Sequence, residues 1–132
     1  MLKNDILRRL QKEGLAIIEL HEKLNELNIK HTFVDRKQKQ ITMIKKEDTG
    51  LKREELINAI NDTTPFDYQI TLKENGNRIS LIQSPYSYGV TNNMIEVYNF
   101  QHEPIILTCN AAVDLIRNKK INERIIKINE EL

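Results

Sequence analysis

FDYQITLKENGNRISLIQ, residues 66–83, is the stretch that decides the fold of this chain. Apolar and polar residues alternate along its first half, which is the period of a strand with one buried face and one exposed face. Asn75 and Gly76 tolerate the positive φ angles of a type I′ turn, so the sequence predicts a two-residue β-hairpin loop. A slip of one residue would place apolar residues opposite polar ones, so the register is well specified. The predicted pairs are Leu72 with Ile79, Ile70 with Leu81 and Thr71 with Ser80.

Length and composition predict a single domain, residues 1–132. The chain is 39% apolar and 30% charged with a net charge of +1, so an electrostatic partner must be met by a local patch. No apolar run approaches the roughly 20 residues of a membrane helix, and we expect a cytoplasmic protein without membrane contact. The single cysteine, Cys109, excludes an internal disulfide and a Cys-rich zinc site. Abundant Ile, Asn and Lys are typical of AT-rich genomes, which points to a low-GC bacterium or its phages.

Helical periodicity precedes the hairpin in two places. Apolar residues spaced by three or four predict a long helix from about residue 4 to residue 28. Gly14 interrupts this pattern, so we expect a bend or break there and a less firmly held arm over residues 1–13. A second helix is predicted over residues 51–61, where Asp48 or Thr49 can act as the N-cap.

The other elements are predicted from short apolar runs and turn residues. Residues 30–36 and 40–45 are predicted to form another hairpin, residues 94–100 and 105–107 two further strands, and residues 102–104 a turn. Thr108 is a good N-cap for a helix that follows it. An amphipathic pattern continues over residues 121–132.

These elements predict an α+β fold with the order α-ββ-α-ββ-β-β-α. Short connections favour antiparallel neighbours, so we expect an antiparallel sheet of five or six strands, built from two hairpins plus further strands. The helices are expected to pack mainly on one face of that sheet. Because several strands are apolar on both faces, a helix or another subunit is expected to cover the second face.

Motifs for catalysis, metal binding and phosphate binding are weak in this sequence. Cys109 lies at the expected start of a helix, and His31 or His102 could approach it, but a small cysteine beside alanines is more often a packing residue. His21 and Glu22 lack the spacing of recognised metal ligands. No glycine-rich phosphate loop is present. We therefore predict no metal and no cofactor, and an enzyme with a composite site near Cys109 is a third hypothesis.

Basic residues cluster in the predicted hairpin over residues 30–46. They would concentrate positive potential on a β-ribbon, which makes a small nucleic-acid-binding regulator the alternative function. Charged residues on an edge strand also block edge pairing, and no helix-turn-helix or RNP-type pattern is present. The candidate nucleic-acid-binding residues are Arg36, Lys37, Lys39, Lys45 and Lys46.

The loop that follows the central hairpin carries two tyrosines among small residues. Tyr86 and Tyr88, next to Pro85, would provide rigid amphipathic contact area at little entropic cost, as at many protein interfaces. The rings could equally fold back over the sheet edge. The leading hypothesis is a non-catalytic interaction or regulatory protein that binds a protein partner through Pro85, Tyr86 and Tyr88. A homodimer, and an accessory role in a phage or mobile element such as inhibition of a host factor, belong to this hypothesis.

Overall fold

Five helices and five strands form the described part of the chain, which in this computed structural model comprises residues 3–47, 50–74, 77–99 and 102–117. The helices are α1 (Lys3–Glu13), α2 (Ala16–Glu26), α3 (Arg36–Glu47), α4 (Gly50–Thr63) and α5 (Cys109–Arg117). The strands are β1 (Thr32–Asp35), β2 (Tyr68–Glu74), β3 (Asn77–Gln83), β4 (Ile95–Asn99) and β5 (His102–Leu107), with a 3₁₀ turn at Val90–Asn92 before β4. The predicted α+β class is confirmed.

The sheet is an antiparallel meander in which the strands are neighbours in chain order, β1-β2-β3-β4-β5. In the central hairpin Leu72 pairs with Ile79 and Ile70 pairs with Leu81, so the predicted register is confirmed. The turn between these strands, residues 75 and 76, lies outside the described residues. Because side chains alternate along each paired strand, every strand has an inner face and an outer face.

One hydrophobic core joins the inner face of the sheet to α1, α2 and α5. Helix α2 contributes Ile17, Leu20 and Leu24, which share one helix face and are completely buried. This helix packs against α5, β2 and β3, so helices lie mainly on one face of the sheet, as predicted. The core residues of the four strands β2–β5 are Ile70, Leu72, Ile79, Leu81, Ile95, Val97, Ile105 and Leu107.

Gly14 separates α1 from α2, which confirms the predicted break. Its φ of +112° lies in the region that glycine adopts far more readily than other residues, so the chain can turn sharply there. Leu7 and Leu10 of α1 are buried in the core and fix the orientation of this helix. The mobility of residues 1–13 stays a prediction.

The predicted strand at residues 40–45 is wrong, because this segment belongs to α3. Asp35 Oδ1 accepts a hydrogen bond of 3.0 Å from the backbone N–H of Gln38, which is the contact of a helix N-cap. The helix therefore begins at Arg36, immediately after β1. Ile41 of α3 is buried. Helix α4 follows at the position where the sequence predicts a helix, so that prediction is confirmed.

The C-terminal part follows the prediction with one exception. The predicted turn at residues 102–104 is wrong, since these residues begin β5. Pro104 is tolerated there because β5 is an edge strand of the sheet. Thr108 caps α5 as predicted, its Oγ1 accepting the backbone N–H of Ala111 at 3.2 Å. The amphipathic pattern predicted for residues 121–132 lies outside the described residues.

Candidate functional site

The loop between β3 and β4 presents the two candidate tyrosines to solvent. Tyr86 is 73% exposed and Tyr88 is 67% exposed, so neither ring folds back into the core. The hydroxyl of Tyr86 donates to the backbone carbonyl of Thr63 at 3.4 Å, which links the ring to the end of α4. Pro85 is buried, so it offers little contact surface. We call residues 84–89 the tyrosine loop.

Hydrogen bonds within the tyrosine loop hold its backbone in one shape. The backbone N–H of Ser84 donates to Ser87 Oγ at 3.0 Å, and the same hydroxyl donates to the carbonyl of Ser84 at 2.9 Å. Ser84 Oγ in turn accepts the backbone N–H of Tyr86 at 3.2 Å. Both serines are buried, so these bonds are protected from competition with water.

Gly89 ends the tyrosine loop with a left-handed backbone, φ +79°. A Cβ atom at this position would lie 3.1 Å from Met94 Cβ and 3.2 Å from Ile106 Cγ2, so a larger residue would be both strained and crowded. The loop is thereby pressed against β5, whose Ile106 is 41% exposed.

Two side-chain amides anchor the ends of this segment to the start of α2. Gln83 is completely buried; its Oε1 accepts the backbone N–H of Ile17 at 3.0 Å, and its Nε2 donates to Asn93 Oδ1 at 2.8 Å. Asn93 Oδ1 also accepts the N–H of Ala16 at 2.9 Å, and Asn93 Nδ2 donates to the carbonyl of Gly14 at 3.0 Å. These amides cap a helix whose own N-cap, a leucine, has no capping side chain.

Neither amide was identified from the sequence. Gln83 contacts a residue 66 positions away in the chain, and Asn93 contacts one 77 positions away. No local sequence pattern reveals such long-range pairs. A signal was present for Gln83 alone, since it continues the inward alternation of Ile79 and Leu81 and so places a polar residue on the core face.

The candidate nucleic-acid-binding residues are not brought together on a ribbon. Arg36 Nε donates to Asp67 Oδ1 at 2.8 Å and forms an ion pair with it, while Lys37 Nζ donates to the carbonyl of Pro65 at 3.3 Å. The other candidates are Lys39, which is exposed on α3, and Lys45 and Lys46, whose side chains lie outside the described residues. All five residues lie on α3, and nucleic-acid binding by this set stays a prediction.

A pair of histidines lies beside the first strand. His31 Nδ1 is 2.7 Å from the carbonyl of Ile29, which can only accept, so this nitrogen is the donor. His31 Nε2 shares a hydrogen bond of 2.8 Å with His21 Nδ1, and His21 Nε2 lies 3.4 Å from Asn25 Nδ2. Burial, together with the neighbouring His31, lowers the pKa of His21. His21 also stacks on Phe33 with ring centroids 4.1 Å apart.

Cys109 is a core residue at the start of α5, only 7% exposed. Burial, and to a smaller extent the carboxylate of Glu19, raise the pKa of its thiol, while Lys23 acts in the opposite direction. The reactive thiolate is therefore disfavoured. No hydrogen bond joins Cys109 to His21 or His31, and the side chain of His102 lies outside the described residues. Its surroundings are those of a packing residue.

Within residues 3–47, 50–74, 77–99 and 102–117, no three His, Cys, Asp or Glu side chains are grouped so that they could hold a metal ion. No helix in those ranges has both the length and the apolar character needed to cross a membrane. No protein-family model, no curated protein and no solved structure matches the chain.

Proposed function

We propose that this protein acts by non-catalytic contact with a partner protein, and that the tyrosine loop is its contact surface. The observation that carries the proposal is that Tyr86 and Tyr88 expose 73% and 67% of their surface on a loop built from buried hydrogen bonds. Tyrosine is among the residues that contribute most at protein interfaces, because a ring offers apolar area and a hydroxyl at little rotamer cost.

Rigidity is the second support for this role. A loop that is ordered before binding loses little conformational entropy on association, so more of its contact energy appears as affinity. The serine bonds hold the middle of the tyrosine loop, and Gln83 and Asn93 hold the segment at both ends. Solubility does not explain this arrangement, because two large exposed aromatic rings lower the solubility of a protein.

The partner is proposed to be a protein of the cell in which the chain is made. The composition typical of AT-rich genomes fits a bacterial phage or mobile element, and a cytoplasmic host factor is then the natural target. A second copy of the chain is the competing occupant of the same surface. Both occupants would bury the tyrosines, so one pair of variants tests them together.

The test compares the double variant Tyr86→Ala with Tyr88→Ala against Met43→Ala as a matched control. Met43 is another large apolar side chain, 53% exposed, but it lies on α3. Loss of a central tyrosine costs about 2 kcal/mol at a typical interface, or roughly 30-fold in Kd. We expect the wild type and Met43→Ala to capture one protein from lysate of the source cells, and the double variant to lose it. Binding of the purified partner to the purified chain should weaken by the same factor in Kd.

Light scattering separates the two occupants. A dimer of the wild type that becomes a monomer in the double variant would assign the loop to self-association. Equal capture by the double variant, with thermal stability unchanged, would refute the role of the loop. A loss of stability well above about 1.5 kcal/mol in the double variant would also count against it, because two exposed rings, one of them hydrogen-bonded to Thr63 at the surface, should not cost more than that.

A further inference from the structure

The outer face of the sheet carries two positive charges directly opposite each other. Lys73 of β2 and Arg78 of β3 are cross-strand partners, and both side chains are exposed. They point away from the core, because their neighbours Leu72 and Ile79 point into it. Like charges in this position destabilise a sheet. Neither forms an ion pair with a carboxylate in the part of the chain that the structure describes.

A cavity of about 570 Å³ opens beside this charged pair. Its polar lining consists of Lys30, His31, Thr32, Thr71, Lys73 and Arg78. Three cations and two hydroxyls converge here, and no carboxylate occurs among these lining residues. Such a set of side chains can donate hydrogen bonds to the oxygen atoms of an anion, and Arg can bind two of these oxygens at once.

A second depression, of about 290 Å³, continues from the cavity along the outer face. Arg78 lines both, and Thr71 in the first is the cross-strand partner of Ser80 in the second. The second depression has a different character, since Tyr98 and Ile82 supply apolar surface. The two spaces adjoin at Arg78, and together we call them the groove, which has a cationic end and an aromatic end.

We propose that this groove binds a nucleoside phosphate, with its phosphate at Lys30, Lys73 and Arg78 and its base against Tyr98. Arg78 is two residues along β3 and one strand across from Tyr98, about 7 Å and about 5 Å respectively, and Lys73 lies one strand farther, by about another 5 Å. That separation suits the phosphate and base of one nucleotide. The combined groove falls in the size range of small-molecule sites, roughly 300–1,000 Å³.

The polar groups between the two ends suit a base or a ribose. Gln69 Nε2 donates to Ser80 Oγ at 2.7 Å, which leaves the Gln69 carbonyl and the Ser80 hydroxyl proton directed toward other partners. Gln69 and Ser80 both line the second depression. They can therefore give one acceptor and one donor to the ligand.

A single nucleotide fits the groove better than a nucleic-acid strand does. Surfaces for single strands repeat aromatic platforms and cations along the backbone, whereas Tyr98 is the one Phe, Tyr or Trp on the outer face of the described strands. Farther along that face Glu96 pairs across the strands with Ile82, and its carboxylate would repel a continuing phosphate chain. The net charge of +1 agrees with a local phosphate site.

Isothermal titration of the full chain with adenosine 5′-monophosphate tests the proposal. Adenosine without phosphate, ribose 5-phosphate and a single-stranded oligonucleotide serve as comparison ligands. We expect the nucleotide to bind, with affinity reduced about tenfold or more by Arg78→Gln, since a charge-assisted contact is lost. Lys12→Gln, which removes an exposed cation from α1, should leave the affinity unchanged.

Lys73→Glu guards against a variant that fails only because it is poorly folded. It converts the like-charged pair into an attractive one, so the melting temperature should stay the same or rise while nucleotide affinity is lost. Unchanged affinity in Lys73→Glu and Arg78→Gln would overturn the proposal, as would the absence of nucleotide binding. Binding of the oligonucleotide without the mononucleotide would overturn the assignment of one nucleotide. Partner capture by the tyrosine loop should be unaffected by either variant.

Discussion

Replacing Gln83 by methionine is the sharpest test of how the tyrosine loop is anchored. Methionine keeps nearly the same volume in a completely buried position but removes both hydrogen bonds, to the Ile17 N–H at 3.0 Å and to Asn93 Oδ1 at 2.8 Å. The Ile17 N–H would then be a buried donor without an acceptor, which costs about 1–3 kcal/mol. With the smaller loss at Asn93, we expect unfolding free energy to fall by about 2.5 kcal/mol.

The size of the corresponding thermal shift follows from chain length. For 132 residues the unfolding entropy is roughly 0.28 kcal/mol/K, so 2.5 kcal/mol lowers Tm by about 9 °C. Urea unfolding followed by circular dichroism gives the free energy directly, with an unchanged m value as the sign that the folded state is intact. Gln69→Met is the matched control on the outer face, where a change of about 0.5–1 kcal/mol is expected. A loss of about 0.5 kcal/mol or less in Gln83→Met would refute this account of the anchor.

Two further predictions concern pH and backbone strain. Because burial and His31 lower the pKa of His21, the unfolded chain binds more protons than the folded one as pH falls below the ordinary value of 6.5. Stability should therefore decrease as pH is lowered from 6.5 toward the folded pKa, and His21→Gln should flatten that slope in urea unfolding at a series of pH values. Gly89→Ala should lower the free energy of unfolding by about 1–3 kcal/mol, and with it Tm, because φ is +79° and the new Cβ would crowd Met94. An unchanged Tm would mean that the loop relaxes without cost.

Local patterns predicted the central hairpin but could not distinguish a strand from a helix at residues 40–45. In residues 66–83 a period of two and an Asn-Gly turn agree, so one register is favoured. In residues 40–45 Ile41 and Ile44 are spaced by three, which suits a helix, while Ile41 and Met43 are spaced by two, which suits a strand. The decisive interaction is the Asp35 cap at the end of β1.

The proposed binding surfaces also differ in how far the sequence predicts them. Exposure of Tyr86 and Tyr88 could be anticipated from a loop of small residues, although the alternative of folded-back rings remained open until the structure was known. The opposed charges of Lys73 and Arg78 were implied by the predicted register, since they follow directly from the pairing of Leu72 with Ile79. Lys30 could not be placed beside them, because that requires the long-range pairing of β1 with β2.

The proposed contact surface is tested most directly by photo-crosslinking in the cells that make the protein. A photoreactive phenylalanine analogue at Tyr88 should give one discrete crosslinked species with a protein partner or with a second copy of the chain. The same analogue at Met43, exposed on α3, should give none of that species. Identical crosslinks from both positions, or no crosslink from Tyr88, would contradict the claim that the tyrosine loop is where this protein meets its partner.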